Sequence, residues 1–186
     1  MASTYSDRLK LELMATGANA NTWGNNTNNN LQTIDSFGGG YLSKSVAGSA
    51  NITLSTANAD PAAEASNKVI EFTGALTGDI IVFIPAVENN YIFFNNTTGS
   101  QTLSIAPTGH TANAVAITQG AHTIMYNNAS NKIVDLFANS LGTVSVKGAA
   151  NVAATVQVKA NGQLSATSFT GDGSGLTGVT TLDAGT

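Results

Sequence analysis

Cysteine is absent from this chain of 186 residues. That excludes disulfides and any site needing a thiolate as ligand or nucleophile. Charge is scarce too: 7 Lys and Arg stand against 11 Asp and Glu, for a formal net charge of -4. No basic run exists, so a nucleic-acid groove has little to build it. The opening, MASTYSDRLKLELM, holds no continuous apolar stretch and does not read as a secretory leader. Nothing approaches the roughly 20 apolar residues of a membrane helix. Synthesis in the cytosol is the expectation.

The residues that carry most enzyme chemistry are also thin. His110 and His122 are the only histidines, and no HExxH spacing occurs, so no metal centre is expected. The acids Asp60, Glu64, Glu71, Asp79, Glu88 and Asp135 are scattered. Glu71 and Asp79 flank one hairpin-like turn, and solvated turn acids are the expectation there rather than a glycosidase pair. No GxSxG elbow is present, and FTGALTGD lacks the GK[ST] ending of a phosphate loop. DGSG at 172–175 offers one acid, too few for a calcium loop. The expectation is no catalysis and no cofactor.

What the chain has instead is Asn, Thr, Ser and Gly, with short apolar runs between them. In residues 1–14, Leu9, Leu11 and Leu13 alternate with Lys10 and Glu12, the pattern of a half-buried strand. It suits pairing with another chain, the favoured reading, or covering the end of a core. Trp23, the single tryptophan, sits among Asn, Thr and Gly and suits an anchor in a packed pocket. The Asn25–Asn30 run caps a short helix carrying Leu31, Ile34 and Phe37. Gly38, Gly39 and Gly40 should stop that helix and form a flexible joint. Such a helix must dock on something to be stable.

From 42 to 138, apolar runs recur between turn signals: NITL, KVIEF, IIVFI, YIFF, TLSIA, AVAI, HTIMY and KIVDLF. About eight short strands with Gly, Asn and Pro punctuation read as a β-sandwich or jelly roll. From 139 on, apolar content is too low for a separate globule. VSVKG and VQVKAN form a weak echo there, and FTGDGSGLTG at 169–178 suits a tight bend or strand in an intertwined assembly. The chain is expected to continue past Thr186 or to lack its distal part here. The fold class expected is therefore mainly β in three parts. These are a short N-terminal segment with a small helix (1–40), a β-sandwich or jelly-roll-like domain (41–138) and an extended intertwined β shaft (139–186).

Three stretches carry a resemblance. They are YSDRLKLELMATGANANTWGNNTNNNLQTID (5–35), the middle block NKVIEFTGALTGDIIVFIP with YIFFNNTTGSQTLSIAP and ITQGAHTIMYNN, and SATSFTGDGSGLTGV (165–179). In these the chain resembles the virion-proximal part of bacteriophage tail fiber proteins. The resemblance implies a structural homotrimer, made in the host cytoplasm and built into the virion. Residues 1–40 would dock to a tail, adaptor or baseplate protein, and host recognition would lie in a distal segment. On that basis Leu9, Leu11, Leu13, Trp23, Leu31 and Ile34 are the candidate docking residues. Phe169, Leu176 and Val179 are the candidate trimer contacts. The alternative is a carbohydrate-binding module on a viral appendage, with Tyr91 and Tyr126 as the glycan contacts, which requires both to be exposed.

Overall fold

The computed structural model describes residues 2–136. The proposed shaft, with Phe169, Leu176 and Val179, lies outside the described residues. Strands form in all eight apolar runs named above. The order is β1 (Thr4–Tyr5), β2 (Glu12–Leu13), α1 (Trp23–Gly39), β3 (Tyr41–Ser45), β4 (Ile52–Thr53), β5 (Val69–Ala75), β6 (Ile80–Ile84), β7 (Asn89–Thr98), β8 (Leu103–Pro107), β9 (Val115–Ile117), β10 (His122–Asn127) and β11 (Ile133–Asp135). Short 3-10 turns lie at Glu64–Ser66 and Thr111–Asn113.

Two sheets share the core. One runs β11-β10-β7-β5-β3 and the other β4-β6-β8-β9. Ile70, Phe72, Tyr91 and Phe93 from the first meet Ile80, Val82, Leu103 and Ile105 from the second in one buried cluster. The jelly-roll expectation is corrected in its winding. β3, β5 and β7 are parallel neighbours in the first sheet, and β4, β6 and β8 are parallel neighbours in the second. Parallel strands need a crossover. No helix lies between β3 and β8 to make it, only the 3-10 turn at Glu64–Ser66. Each crossover is therefore a strand of the opposite sheet, and the chain winds as a flattened coil. Antiparallel β9, β10 and β11 close the two sheets.

The corners of the coil stack. Gly48 and Gly99 adopt φ of 105° and 104° just after β3 and β7, and Gly74 adopts 105° one residue before the end of β5. Backbone bonds join one corner to the next: Gly48 N–H donates to Ala75 O at 2.9 Å and Leu76 N–H to Thr98 O at 2.9 Å. Two side chains repeat the same task. Asn51 Oδ1 accepts from Ile81 N–H at 2.8 Å, and Asp79 Oδ1 accepts from Thr102 N–H at 2.7 Å. Asp79 is thus a corner acid that satisfies the next coil's backbone. Glu71 lies apart from it on the outward side of β5, so the two do not flank a hairpin.

Tyr91 is 1% exposed and stacks on Phe93 with ring centroids 5.4 Å apart. The glycan-contact role expected of it is corrected by that burial: alternation along β7 turns Tyr91, Phe93, Asn95 and Thr97 inward. Its hydroxyl donates to Ala65 O at 3.3 Å. Burial pushes that hydroxyl up to about 12, although a bond from Asn89 works the other way. The unfolded chain releases the same proton near pH 10. Tyr91 therefore contributes nothing pH-dependent below pH 10, and its contribution is lost as pH climbs from about 10 to about 12. We expect urea unfolding to show a loss of about 2–3 kcal/mol across that window. Tyr91→Phe should flatten it, and an unchanged slope in that variant would assign the alkaline loss elsewhere.

Candidate docking surface

β1 and β2 form a hairpin, closed by Ser6 N–H donating to Leu11 O at 2.9 Å. Its turn passes through Lys10 at φ 56°. The phase expected for this segment is reversed. Glu12 is the buried residue, while Leu13 is exposed and Leu9 and Leu11 are half-buried. Asparagine explains how a carboxylate can face inward. Asn19 Nδ2 donates to Glu12 Oε1 at 2.7 Å. Asn30 clasps the Glu12 peptide from both sides, accepting its N–H at 2.8 Å and donating to its carbonyl at 2.9 Å. An asparagine amide has the same donor and acceptor as a peptide, so Asn30 stands in for a neighbouring strand. The Asn-rich run, read from sequence as a helix cap, thus fastens the hairpin to the helix.

α1 is a 17-residue helix that starts at Trp23 rather than after the Asn run. It passes through Gly38 and Gly39, which correct the expected flexible joint. Its end is held at Ser36, whose carbonyl accepts from Gly40 N–H at 2.6 Å and from Lys68 N–H at 3.1 Å. Gly40 allows that fit, since a Cβ there would lie 2.5 Å from Ser36 O. Lys68 also sits over the Phe37 ring at 4.7 Å, tying the last turn to β5.

The helix is inverted in its polarity. Residues at i, i+4, i+8 and i+11 share a face, and here they are Trp23, Thr27, Leu31 and Ile34. Trp23 is 65%, Leu31 57% and Ile34 47% exposed. The one buried residue of α1 is Thr33, a polar one, whose hydroxyl donates to Asn29 O at 2.9 Å. A surface helix ordinarily turns its apolar stripe inward. This one binds the body through Thr33, Asn30 and Phe37 and shows Trp23, Leu31 and Ile34 to solvent. The hairpin adds exposed Tyr5, Leu13 and Met14. Four of the six expected docking residues, Leu13, Trp23, Leu31 and Ile34, are therefore exposed. Tyr5 and Met14, exposed beside them, have no periodic pattern in the sequence to mark them.

No family model, curated protein or solved structure matches the chain.

A groove of about 750 Å³ lies between the end of α1 and the first sheet. Phe37, Ile124, Tyr126 and Leu136 line it with Asn89, Asn90 and the Arg8–Glu88 ion pair. Tyr126 is half-buried in this wall. His122 lies flat on Phe94, with ring centroids 3.9 Å apart, and His110 is exposed. Among the described residues, no cluster of three His, Asp or Glu side chains is placed to hold a metal ion.

Proposed function

We propose that this chain is the virion-proximal structural part of a phage tail fiber, a homotrimer that mounts a host-recognition appendage on the particle. The observation that carries the reading is the inverted helix. Burying three large apolar side chains is worth about 1.5–3 kcal/mol each. α1 leaves Trp23, Leu31 and Ile34 outward and forgoes that gain within the described residues. Exposed apolar groups gathered on one element suit a partner's socket. The mount is a tail, adaptor or baseplate protein with an apolar pocket for Trp23, and the function needs no chemistry. The rigid attachment through Gly40 and Lys68 transmits the mount's orientation to the β coil.

The groove beside Tyr126 supports a second reading, a carbohydrate-binding module, with Tyr126 as a stacking platform and Asn89 and Asn90 as hydroxyl partners. Tyr91 takes no part in it.

One experiment tests the mount. Particles from the encoding genome, wild type or Trp23→Ala, are probed with gold-labelled antibody against this chain. We expect gold at the tail of wild-type particles and occupancy at least about tenfold lower in the variant. Wild-type particles without label overturn the reading. Equal labelling of both removes Trp23 as the anchor.

A further inference from the structure

A second hollow, of about 320 Å³, adjoins the groove. Arg8 and Glu88 belong to the walls of both. The chain itself shows that the two lie in line. Ala86 and Val87 line the second hollow and Asn89 and Asn90 the groove, with Glu88 between them. Along β10 and the turn after it the order repeats: Tyr126 and Asn127 line the groove, Asn128 and Asn131 the second hollow. The Arg8–Glu88 ion pair therefore stands at the junction of one cleft with two compartments.

We propose that this cleft takes a linear, uncharged glycan, with one sugar ring in the groove and the next beyond the ion pair. The inference rests on the carbohydrate-binding reading of the groove and adds the length and charge of the ligand.

Length comes from the compartments. Ligand sites measure roughly 300–1,000 Å³. The groove, at about 750 Å³, lies within that range, and the second hollow, at about 320 Å³, lies near its lower end. The two differ in kind. Phe37 and Tyr126 give the groove aromatic walls, whose negative faces suit the C–H face of a sugar ring. The second hollow has no aromatic residue in its wall and is lined by Asp7, Asn128 and Asn131. A chain of rings, each with an apolar face and a rim of hydroxyls, meets both compartments at once.

Charge comes from the hydrogen bonds already made. Asn90 Oδ1 accepts from Lys68 Nζ. Asn128 Oδ1 accepts from the N–H groups of Ser130 and Lys132 at 2.9 and 3.0 Å, and Asn131 Oδ1 from Asn127 Nδ2 at 3.3 Å. With these oxygens committed, the three amides bring NH₂ donors to the cleft. Asp7 and Glu88 bring acceptors. A hydroxyl both donates and accepts, so a sugar chain can serve both sets. A carboxylate or phosphate accepts only. It would also set its charge against a cleft where one arginine faces two carboxylates.

The test is calorimetric titration of the full chain. The probes are cellohexaose, maltohexaose and hexa-N-acetylchitohexaose, with glucose and N-acetylglucosamine as single rings and hexagalacturonate as the acidic chain. We expect one neutral hexasaccharide to bind at least about tenfold more tightly than its own monosaccharide, more than the number of its rings gives by itself. Hexagalacturonate should bind more weakly than that hexasaccharide. Tyr126→Ala should weaken both hexasaccharide and monosaccharide. Asp7 is exposed, so Asp7→Ala keeps the fold and remains informative if Tyr126→Ala does not. It should weaken the hexasaccharide at least about tenfold and leave the monosaccharide unchanged. A hexasaccharide no tighter than its ring count explains, or one indifferent to Asp7→Ala, overturns the two-compartment cleft and leaves a single-ring module standing. Tighter binding of hexagalacturonate overturns the uncharged class. Heat from none of the sugars overturns the carbohydrate-binding reading with it.

Discussion

Phe93→Ala should lower the unfolding free energy by about 3–5 kcal/mol, the range for emptying an aromatic site in a packed core. Phe93 is fully buried on β7, the middle strand of the five-stranded sheet. Its ring lies 5.6 Å from Phe72 in the preceding coil and 5.4 Å from Tyr91 on its own strand. Such aromatic pairs add about 0.5–1.5 kcal/mol beyond area burial, and both are lost together. The site cannot collapse easily. Its strand is paired on both sides, parallel to β5 and antiparallel to β10. With total stability of about 5–15 kcal/mol for an ordinary domain, the variant is left marginal. Its thermal midpoint should fall by about 10–20 °C. Urea melts followed by circular dichroism measure this, and a loss under about 1 kcal/mol would mean that the core repacks around the void.

Gly99→Ala is the second large effect, with a different cause. Gly99 turns the third coil at φ 104°, a region closed to side chains. A Cβ there would meet Leu76 O at 2.7 Å, and the Leu76 N–H is already committed to Thr98 O across the same corner. The clash is with backbone, so no rotamer relieves it. Strain at such a position costs about 1–3 kcal/mol, and the displaced corner bond adds about 1 kcal/mol. The same denaturant melts should show a loss of about 2–4 kcal/mol. Gly109→Ala is the control. It also has positive φ, at 80°, but no atom lies within 4 Å of its added Cβ. A loss at Gly99 equal to that at Gly109 would mean the close approach contributes nothing.

The strands were legible because KVIEF, IIVFI and YIFF combine β-branched and aromatic residues between turn signals. Their pairing was not. Periodicity says that a segment is extended, and nothing in it says which neighbour it meets. One available sign was that IIVFI is apolar on both faces, as strands of parallel sheets tend to be. The recurrence of VAGSAN, FTGALTGD and TTGSQT at the corners was another. β3 was missed because YLSKS has only Leu42 as an inward apolar residue. Its other inward residue is Lys44, made acceptable there by Glu64. The candidate docking element was partly legible. Trp23, Leu31 and Ile34 stood out as apolar residues in polar surroundings. Their outward direction was hidden, because it depends on Asn30 and Thr33 taking the inward side. Burial of Glu12 follows from the same asparagines and cannot be read from alternation alone.

The winding also decides how the described part would yield under tension. Entry at β3 and exit at β11 lie on opposite edges of one sheet, so a pull between them runs across the strands. Successive seams then bear the force in series, while the bonds within a seam share it. The β5–β7 seam has seven register pairs, and the β6–β8 seam beneath it has five. The β10–β11 seam has three and no counterpart in the second sheet. Stretching therefore peels β11 first and leaves the coils wound, a weak link at the exit that protects the windings behind it.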